Sequence, residues 1–555
     1  MKPMLYDVIV VGSGISGLYA ALYARRAGLS VALISKSTPL RSNSAVASGG
    51  INAVMKGMRN DLHREHVSDT LKSADKLGRP STVTAMVAGA ADIIEELSSM
   101  GVVFDREEDG TIAQRPFGGT STKRSCYIAD RTGASITQTL FTQCRKEGVQ
   151  VFPNHLLLGI ATFEDRLSGI TLLRRRDSQV IAFACKSLVL AGGGYAGIYR
   201  GHSTNSQESS GDILAIALRA KMRLVNMEFV QFHPTTLLRS GTLISEAARG
   251  EGAYIVDEHG IRFTDELQTR DKLSRDIIRH QMQGHTVYLD FRHLGEAFID
   301  KKLPSARKHA LNGAGIDILT ELLPITPSAH YTMGGIWSRD DASTDIDNIF
   351  VCGECAYSGV HGANRLGGNS LLEAAYFGKV AGINAANSAK KGKFHPIDYA
   401  IVAKESRYIE MILEGESRYN INTMRTNLGN ILYKNAGAFR SHDSLADAYE
   451  YIHYLMKLSS GLCCVNKERN DNVELMSIIE FRNSLTVAEA MVMSALAREE
   501  SRGVHYRDDF PYKNDKNDNV NTIIRRLAGS FLRISFEGHL SSDWWYRFRR
   551  FFHVL

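Results

Sequence analysis

Short apolar runs and glycine-rich turns alternate along the first part of the chain. The runs Tyr6–Val11 and Val31–Ser35 are typical of buried strands, and Leu18–Arg26 between them is typical of a helix. The turn before that helix carries Gly12, Gly14 and Gly17. This order of strand, glycine turn, helix and strand is the context that a dinucleotide-binding turn requires, because glycines let a pyrophosphate approach the helix start.

Further glycine clusters indicate which dinucleotide is bound. The second strand ends in Ser35 and Lys36, where simple NAD-binding folds carry an acidic residue for the ribose. Gly49 and Gly50 follow soon after, and the strand Ser187–Ala191 runs into three more glycines. These features favour a larger cofactor, FAD, over NAD.

The remaining pattern divides the chain into further segments. Residues 226–331 consist of short segments rich in His, Arg and Glu, which suggests an inserted domain. Strand and glycine signals return from His330 to Gly382, and the chain is then helical in pattern up to about residue 507, most clearly over Leu485–Arg502. A polar stretch from Asp508 to Asn521 predicts a loop or linker. The aromatic and basic end, from Trp544, fits either an interface or a packed terminal helix.

Composition narrows the class of protein. The 555 residues are 44% hydrophobic, enough for two to four domains with sizeable cores. A net charge of +6 does not argue for nucleic acid, and no apolar run is long enough to span a membrane. Seven cysteines form no disulfide framework, which favours a cytoplasmic protein. Cys352 and Cys355 lack a second pair, so we expect buried thiols and no metal site.

Several chemically active residues recur beside glycines. The stretch His361–Leu372 carries Arg365, whose planar fork matches a carboxylate. Glu246 and Arg249 are three residues apart, a spacing that pairs them on a helix. Arg275 is expected in the first turn of a helix, where a cation is not favoured by the dipole and a functional reason is needed. Together with His233 and His330, these groups could bind a dicarboxylate and move a proton.

At these motifs the chain resembles the flavoprotein subunits of fumarate reductase and succinate dehydrogenase, a family that includes L-aspartate oxidase. The resemblance covers about residues 5 to 510. The matching motifs are Gly12–Gly17, Arg115–Gly119, Gln231–Thr235, Arg249–Gly252, Ser274–Asp276, His330–Gly335, His361–Leu372, Leu485–Ala490 and Ala497–Gly503.

The resemblance implies an α/β fold in three parts. It comprises a Rossmann-like FAD-binding domain (1–225 and 332–390), an inserted α+β capping domain (226–331) and a C-terminal helical domain (391–510). Residues 511–555 are left as a C-terminal tail.

The resemblance also implies roles for individual residues in the conversion of fumarate to succinate. Arg275 is expected to deliver the proton, and Glu246 and Arg249 to return it. His330 with Arg365 would clamp one substrate carboxylate, and His233 with Ser245 the other. The FAD contacts would be Gly12, Gly14, Gly17, Ser35, Lys36, Gly49, Gly50, Asp212, Glu354 and Ser370.

Two positions depart from the family pattern or discriminate within it. Asn43 stands where membrane-bound members carry the histidine that bonds to the flavin, so FAD should be non-covalent and fumarate reduction favoured. Phe117 stands where aspartate oxidases carry a glutamate for the substrate ammonium. L-aspartate oxidase and a non-catalytic flavin-binding subunit remain the alternatives. We expect an iron–sulfur partner, a possible membrane-anchor or quinone-linked subunit, and a peripheral place on the cytoplasmic membrane.

Overall fold

The computed structural model describes residues 3–55, 62–164, 166–238, 240–527 and 531–538. The aromatic and basic end of the chain, from Trp544, lies outside the described residues. Strands and helices alternate in the first half, and helices dominate from residue 369 to 497.

The strands are β1 Met4–Val11, β2 Val31–Ile34, β3 Ile51–Asn52, β4 Gln114–Arg115, β5 Ser125–Cys126, β6 Gln150–Phe152, β7 His155–Phe163, β8 Arg166–Arg174, β9 Gln179–Leu190, β10 Leu224–Val225, β11 Val230–Leu237, β12 Tyr254–Asp257, β13 Val287–Asp290, β14 Leu323–Thr332, β15 Gly335–Trp337, β16 Ile349–Val351, β17 Ala356–Tyr357, β18 Val520–Arg526 and β19 Leu532–Gly538.

The helices are α1 Ile15–Arg26, α2 His63–Ser73, α3 Pro80–Ala88, α4 Ala90–Ser99, α5 Thr132–Lys146, α6 Asp212–Arg219, α7 Ala247–Gly250, α8 Arg270–Met282, α9 Glu296–Lys302, α10 Pro304–Ala314, α11 Asn369–Lys391, α12 Tyr399–Glu414, α13 Ile421–Asn435, α14 His442–Ser459 and α15 Val473–Ala497.

A largely parallel sheet holds the first half of the chain together. Its order is β6-β2-β1-β9-β8-β7, with β16 also paired to β9. Strand β1 pairs in parallel with β2 and β9, and the last four residues of β1 are buried. Because parallel strands are covered on both faces, their sequences are continuous apolar runs. The turns that follow β1 and β9 therefore meet at the same edge of the sheet.

A second sheet lies within the segment expected to be inserted. Strands β11, β14, β13 and β12 pair antiparallel in that order. Helix α8 packs on this sheet through Leu273 and Ile277, which share a buried cluster with Leu289. Thr269 precedes α8 in extended conformation, so the helix begins at Arg270. The first turn of α8 lies beside the first part of the chain, since Arg270 lines one cavity together with Gly118 and Gly119.

The helical part and the chain end differ in detail from expectation. The expected helix Leu485–Arg502 is α15, Val473–Ala497, and the Asn472 side chain accepts a hydrogen bond from the Leu475 N–H at its start. Residues on most faces of α15 are buried, so its apolar residues do not recur with a clear helical period that would mark the helix bounds in the sequence. Residues 511–555 are not all an unattached tail, since β18 and β19 form a hairpin that pairs with β10. Two such short strands behind a polar run give a weak sequence signal.

Buried ion pairs tie the end of α15 to the segment before β11. Arg498 Nε lies 2.5 Å from Glu228 Oε1, and both side chains are fully buried. Glu500 accepts from Arg498 and Arg502, and Glu228 also accepts from the Thr522 hydroxyl. Removing one partner of such a pair leaves an uncompensated buried charge, so this network fixes how the helical part sits on the rest.

The structure and the matches given below confirm the expected α/β class with a Rossmann-like FAD-binding part and a C-terminal part rich in helices. Within the described ranges, no helix combines the length and apolarity needed to cross a bilayer.

Candidate active site

The glycine turn after β1 is shaped for close approach of backbone. Gly12 has a φ of +117°, and a Cβ there would lie 2.0 Å from the Ala191 carbonyl oxygen. A Cβ on Gly17 would lie 1.9 Å from the Gly12 carbonyl oxygen. Only glycine fits these positions. Helix α1 starts after Gly14 without a side-chain cap or an acidic residue in its first turn, which leaves its N–H groups available for an anion.

A cavity of about 460 Å³ opens beside this turn. Most of the residues expected to contact FAD line it, namely Gly12, Gly14, Ser35, Lys36, Asp212, Glu354 and Ser370. Gly17 lies behind the turn. Gly49 and Gly50 instead pack against the β3–β5 region, since a Cβ on Gly49 would lie 3.0 Å from the Phe117 ring and one on Gly50 would lie 2.6 Å from Ser125 Oγ. The residues present fit a dinucleotide.

Lys36 is fixed by two carboxylates in this cavity. Its Nζ lies 2.8 Å from Asp212 Oδ2 and 2.9 Å from Glu480 Oε1. Burial alone would lower the pKa of Lys36, but the two carboxylates outweigh it and raise that pKa above its ordinary value. Glu480 comes from α15, and its part in the site was not expected from the sequence.

Asn43 lines the same cavity, and both the nitrogen and the oxygen of its side-chain amide make hydrogen bonds. The amide nitrogen donates to Asn205 and to Ser209 Oγ, the latter at 2.8 Å, while Asn43 Oδ1 accepts from the Ser206 N–H at 3.1 Å. The lone pair of an amide nitrogen is delocalised into its carbonyl, so Asn43 has no nucleophilic nitrogen to offer a flavin.

Glu354 is a buried carboxyl at the cavity wall. Its Oε1 accepts hydrogen bonds from the Thr332 N–H at 3.0 Å and the Thr332 hydroxyl at 3.2 Å. Burial raises the pKa of Glu354 to about 7, because these bonds and Arg365 offset only part of the desolvation. Glu354 therefore changes its charge near neutral pH.

Two arginines lie side by side beyond the cavity. Gln231 Oε1 accepts from Arg365 Nη2 at 3.0 Å and from Arg270 Nη1 at 3.1 Å. Arg270 also donates to Glu246 Oε2 through Nε at 2.9 Å and Nη2 at 2.5 Å. Arg365 donates to Ser370 Oγ at 3.0 Å, while its Nε is buried without a hydrogen-bond partner among the described residues.

Neighbouring charges shift the pKa values of Glu246 and Arg365. Burial favours the neutral form of Glu246, yet Arg270 and Arg249 lower the pKa of Glu246 to about 2. Burial and then the charge of Arg270 lower the pKa of Arg365 to about 10. Glu246 and Arg365 are therefore both charged at neutral pH.

Two neutral histidines face the arginines. The rings of His233 and His330 lie 5.0 Å apart, and His330 Nδ1 lies 2.7 Å from the Thr204 hydroxyl. Burial, followed by the charge of Arg270, places the pKa of His233 well below its ordinary value. Burial, followed by the proximity of His233 and Arg270, does the same for His330. Neutral imidazoles offer one N–H donor each to an incoming carboxylate.

The other expected site residues surround this group. Arg249 Nη2 lies 3.8 Å from Glu246 Oε1, and Arg249 Nη1 donates to the Glu266 carbonyl. Ser245 lines the cavity, as His330 does. Phe117 is 8% exposed and packs on Gly367, and the N–H of the next residue, Gly118, donates to Glu246.

Arg275 is the expected site residue that the structure does not bring to this group. Its Nη2 donates to Asp271 at 2.8 Å, and its guanidinium lies over the Tyr506 ring at 5.1 Å. Helix α8 begins at Arg270, so Arg270, not Arg275, occupies the first turn. Five residues along a helix turn a side chain by about 140°, so the two arginines point in different directions. The expected place of Arg275 in a first turn is therefore wrong, because the helix begins five residues earlier, while its expected catalytic role stays a prediction.

Two other histidine groups play no part in this arrangement. His361 Nε2 lies 2.9 Å from Glu373 Oε2, whose carboxylate also accepts from Tyr331, the ring beneath Arg365. His280 and His285, near Asp257 at the far end of α8, stack with nearly parallel rings. One ring nitrogen of each and an Asp257 carboxylate oxygen lie within 4.8 Å of one another.

Comparison with known families assigns most of the chain. The FAD binding domain model matches residues 7–371, and the model for the fumarate reductase flavoprotein C-terminus matches residues 425–538.

Individual relatives match over nearly the whole length. The succinate dehydrogenase flavoprotein subunit of Rickettsia bellii is 35% identical, over 92% of this chain and 91% of its own. The 8-methylmenaquinol:fumarate reductase flavoprotein subunit of Wolinella succinogenes is also 35% identical, over 92% and 87%. Among solved structures, a quinol fumarate reductase chain from E. coli superposes with a TM-score of 0.93, at 31% identity and 97% coverage of both chains.

The buried Glu354 carboxyl predicts a pH-dependent stability. Its pKa is raised from 4.5 when unfolded to about 7 when folded, so its contribution is complete below pH 4.5 and is lost as the pH rises through 7. That displacement corresponds to roughly 3 kcal/mol. As the pH rises from 5 to 8, flavin-free wild type should therefore lose stability relative to the flavin-free Glu354→Gln variant. Thermal unfolding of both proteins across this pH range measures the difference.

The surface variant Glu410→Gln serves as the control. Glu410 pairs with Arg469 at an exposed position. The difference in stability between Glu410→Gln and wild type should therefore not grow as the pH rises from 5 to 8. A difference between wild type and Glu354→Gln that stays constant from pH 5 to pH 8 would contradict the prediction.

Proposed function

This chain belongs to the flavoprotein-subunit family of fumarate reductases and succinate dehydrogenases, and on that premise we propose that it interconverts fumarate and succinate. The observation that carries the proposal is the group of Arg270, Arg365, His233 and His330 beside a cavity suited to FAD. Cationic forks and neutral imidazoles on facing elements suit a molecule with a carboxylate at each end.

The bound substrate would be held at both ends. Arg365 and His330 bind one carboxylate, and His233 and Ser245 bind the other. The buried Nε of Arg365, without a hydrogen-bond partner among the described residues, is available for that purpose. Holding both ends in a dry site positions the central double bond and polarises it.

FAD, when bound, supplies or accepts the hydride. We assign the matching proton transfer at the second carbon to Arg270 rather than to Arg275. Arg270 is the arginine that contacts Glu246, and its charge acts on both histidines and on Arg365. Glu246 and the neighbouring Arg249 would return the proton to Arg270.

The flavin is bound without a covalent link. Asn43 stands at the position that carries the linking histidine in membrane-bound members, and its amide is engaged by Asn205, Ser206 and Ser209. In the family, the link accompanies a higher flavin potential and succinate oxidation. Its absence favours fumarate reduction as the main direction here.

The chain works within a larger complex, because the relatives that it matches are named as subunits. We assign it an iron–sulfur partner that exchanges electrons with the flavin. A membrane-anchor or quinone-linked subunit would hold the complex on the cytoplasmic side of the membrane.

L-aspartate oxidation is the second candidate, and Phe117 argues against it. The buried Phe117 ring packs between Gly49 and Gly367 next to the clamp. An aromatic side chain offers no carboxylate to pair with the ammonium group of aspartate.

The proposed activity is tested with a reduced viologen dye as electron donor. The protein should oxidise the dye in the presence of fumarate, and succinate should compete. Robust oxidation of L-aspartate with weak fumarate turnover would favour the second candidate, and neither activity would favour a non-catalytic flavin-binding subunit.

The two arginines of α8 should differ sharply on substitution. Arg270→Lys should lower fumarate turnover by a factor on the order of 10²–10⁴, the usual cost of losing a positioned proton donor. The matched variant Arg275→Lys keeps its cation near Asp271 and should stay within a few-fold of wild type. Dye-linked turnover, with flavin content measured as a check of folding, distinguishes them. The reverse order of the two effects would return the role to Arg275.

The absence of a covalent link predicts complete release of flavin. Acid precipitation of the purified protein should leave all flavin absorbance in the supernatant, because no bond holds it to the denatured chain. Flavin fluorescence retained on the washed precipitate would contradict the assignment of Asn43.

A further inference from the structure

A second cavity, of about 700 Å³, reaches Arg270 and Arg365 and shares no lining residue with the FAD cavity. Arg270 and Arg365 line it, whereas the FAD cavity is lined by His330 and Ser245. Its other walls come from α2, the first turns of α8 and the segment 501–513. A flavin would occupy the first cavity, whereas this second cavity offers a separate opening next to the arginines.

The carboxylates that line this cavity are already neutralised by cations. Each lies in a close ion pair: Asp69 with Arg124 at 2.6 Å, Asp75 with Lys513 at 2.6 Å and Asp271 with Arg275 at 2.8 Å. They leave little negative charge to repel an anion.

Three cations in the cavity wall have no carboxylate partner within 4 Å among the described residues. Arg365 lies at the inner end and contacts only Gln231 and Ser370 with its donors. Lys72 on α2 and Lys272 in the first turn of α8 are exposed and line the same cavity. The cavity therefore carries net positive charge from its exposed wall to the clamp.

We infer that this cavity is the entrance for the dianionic substrate, and that Lys72 and Lys272 attract the dicarboxylate toward Arg365. The inference rests on the proposed function for the identity of the anion. The cavity is much larger than a four-carbon dicarboxylate, so the substrate passes through it and is bound only at the clamp. Lys72 and Lys272 act on the approach and do not touch the bound substrate.

A cleft lined by one sign of charge focuses the field and speeds the association of an opposite charge by about 10- to 1000-fold. Such steering is screened by salt, with a Debye length of about 30 Å at 0.01 M and about 3 Å at 1 M. Steering by Lys72 and Lys272 must therefore be strong at low ionic strength and weak at high ionic strength, which separates it from direct contact with the substrate.

The test uses the full-length protein with its flavin and the double variant Lys72→Glu/Lys272→Glu. Fumarate does not react with the oxidised protein, so its association rate can be followed by stopped flow through the flavin absorbance. At low ionic strength the variant should associate on the order of ten-fold more slowly, and the difference should largely vanish at 1 M salt. Dye-linked kcat/KM should fall in parallel, while kcat is unchanged.

The double variant Lys146→Glu/Lys404→Glu is the matched control. Both lysines are exposed and lie outside the cavity, and the change in net charge is the same. It should associate with fumarate at the wild-type rate. An unchanged association rate in the cavity variant, or a loss equal at both ionic strengths, would overturn the inference while leaving the proposed function in place. Absence of fumarate binding and turnover in wild type would instead overturn the proposed function.

Discussion

The arrangement of the site depends on holding two arginines side by side. Arg270 and Arg365 repel each other, and burial deprives Arg365 of water, whereas the Arg270 side chain is 11% exposed. Glu246 supplies the opposite charge, and the Gln231 amide oxygen accepts from both guanidinium groups. Buried charges are tolerated only when they are paired and hydrogen-bonded in this way. The result is a preorganised pair of cationic forks whose repulsion an incoming dianion would relieve.

Burial, and after it the same concentration of positive charge, explains the neutral histidines. A protonated imidazole beside Arg270 and Arg365 would add a further cation to a dry site, and both histidine pKa values are lowered accordingly. The positive charge is thus carried by groups of fixed protonation, while His233 and His330 provide directional donors. The clamp thus combines electrostatic attraction with directional hydrogen-bond donors.

Three distant parts of the chain must come together to form this site. The cavity is built at the edge where β1 and β9 end, and Glu480 from the C-terminal helix α15 holds Lys36 in its wall. The first turn of α8 brings Arg270 from the inserted segment, and the turn before α11 brings Arg365. A shift of the inserted segment would separate Arg270 from Arg365 and Gln231, so the packing of α8 on its sheet bears directly on the chemistry.

The sequence alone determined the features that depend on local patterns. The glycine spacing after β1, the apolar runs of the parallel strands and the segments that carry His233, Glu246, His330 and Arg365 were all recognisable, because each needs particular residue types at short spacing. Where a helix starts is less well determined locally, so the sequence put Arg275 in the first turn of α8, whereas the structure puts Arg270 there. Tertiary structure decided that point, because the residue at which packing starts a helix sets the direction of every later side chain around it. It also decided the long-range contacts, such as Glu480 on Lys36 and the β18–β19 hairpin on β10, since no local pattern encodes a partner hundreds of residues away.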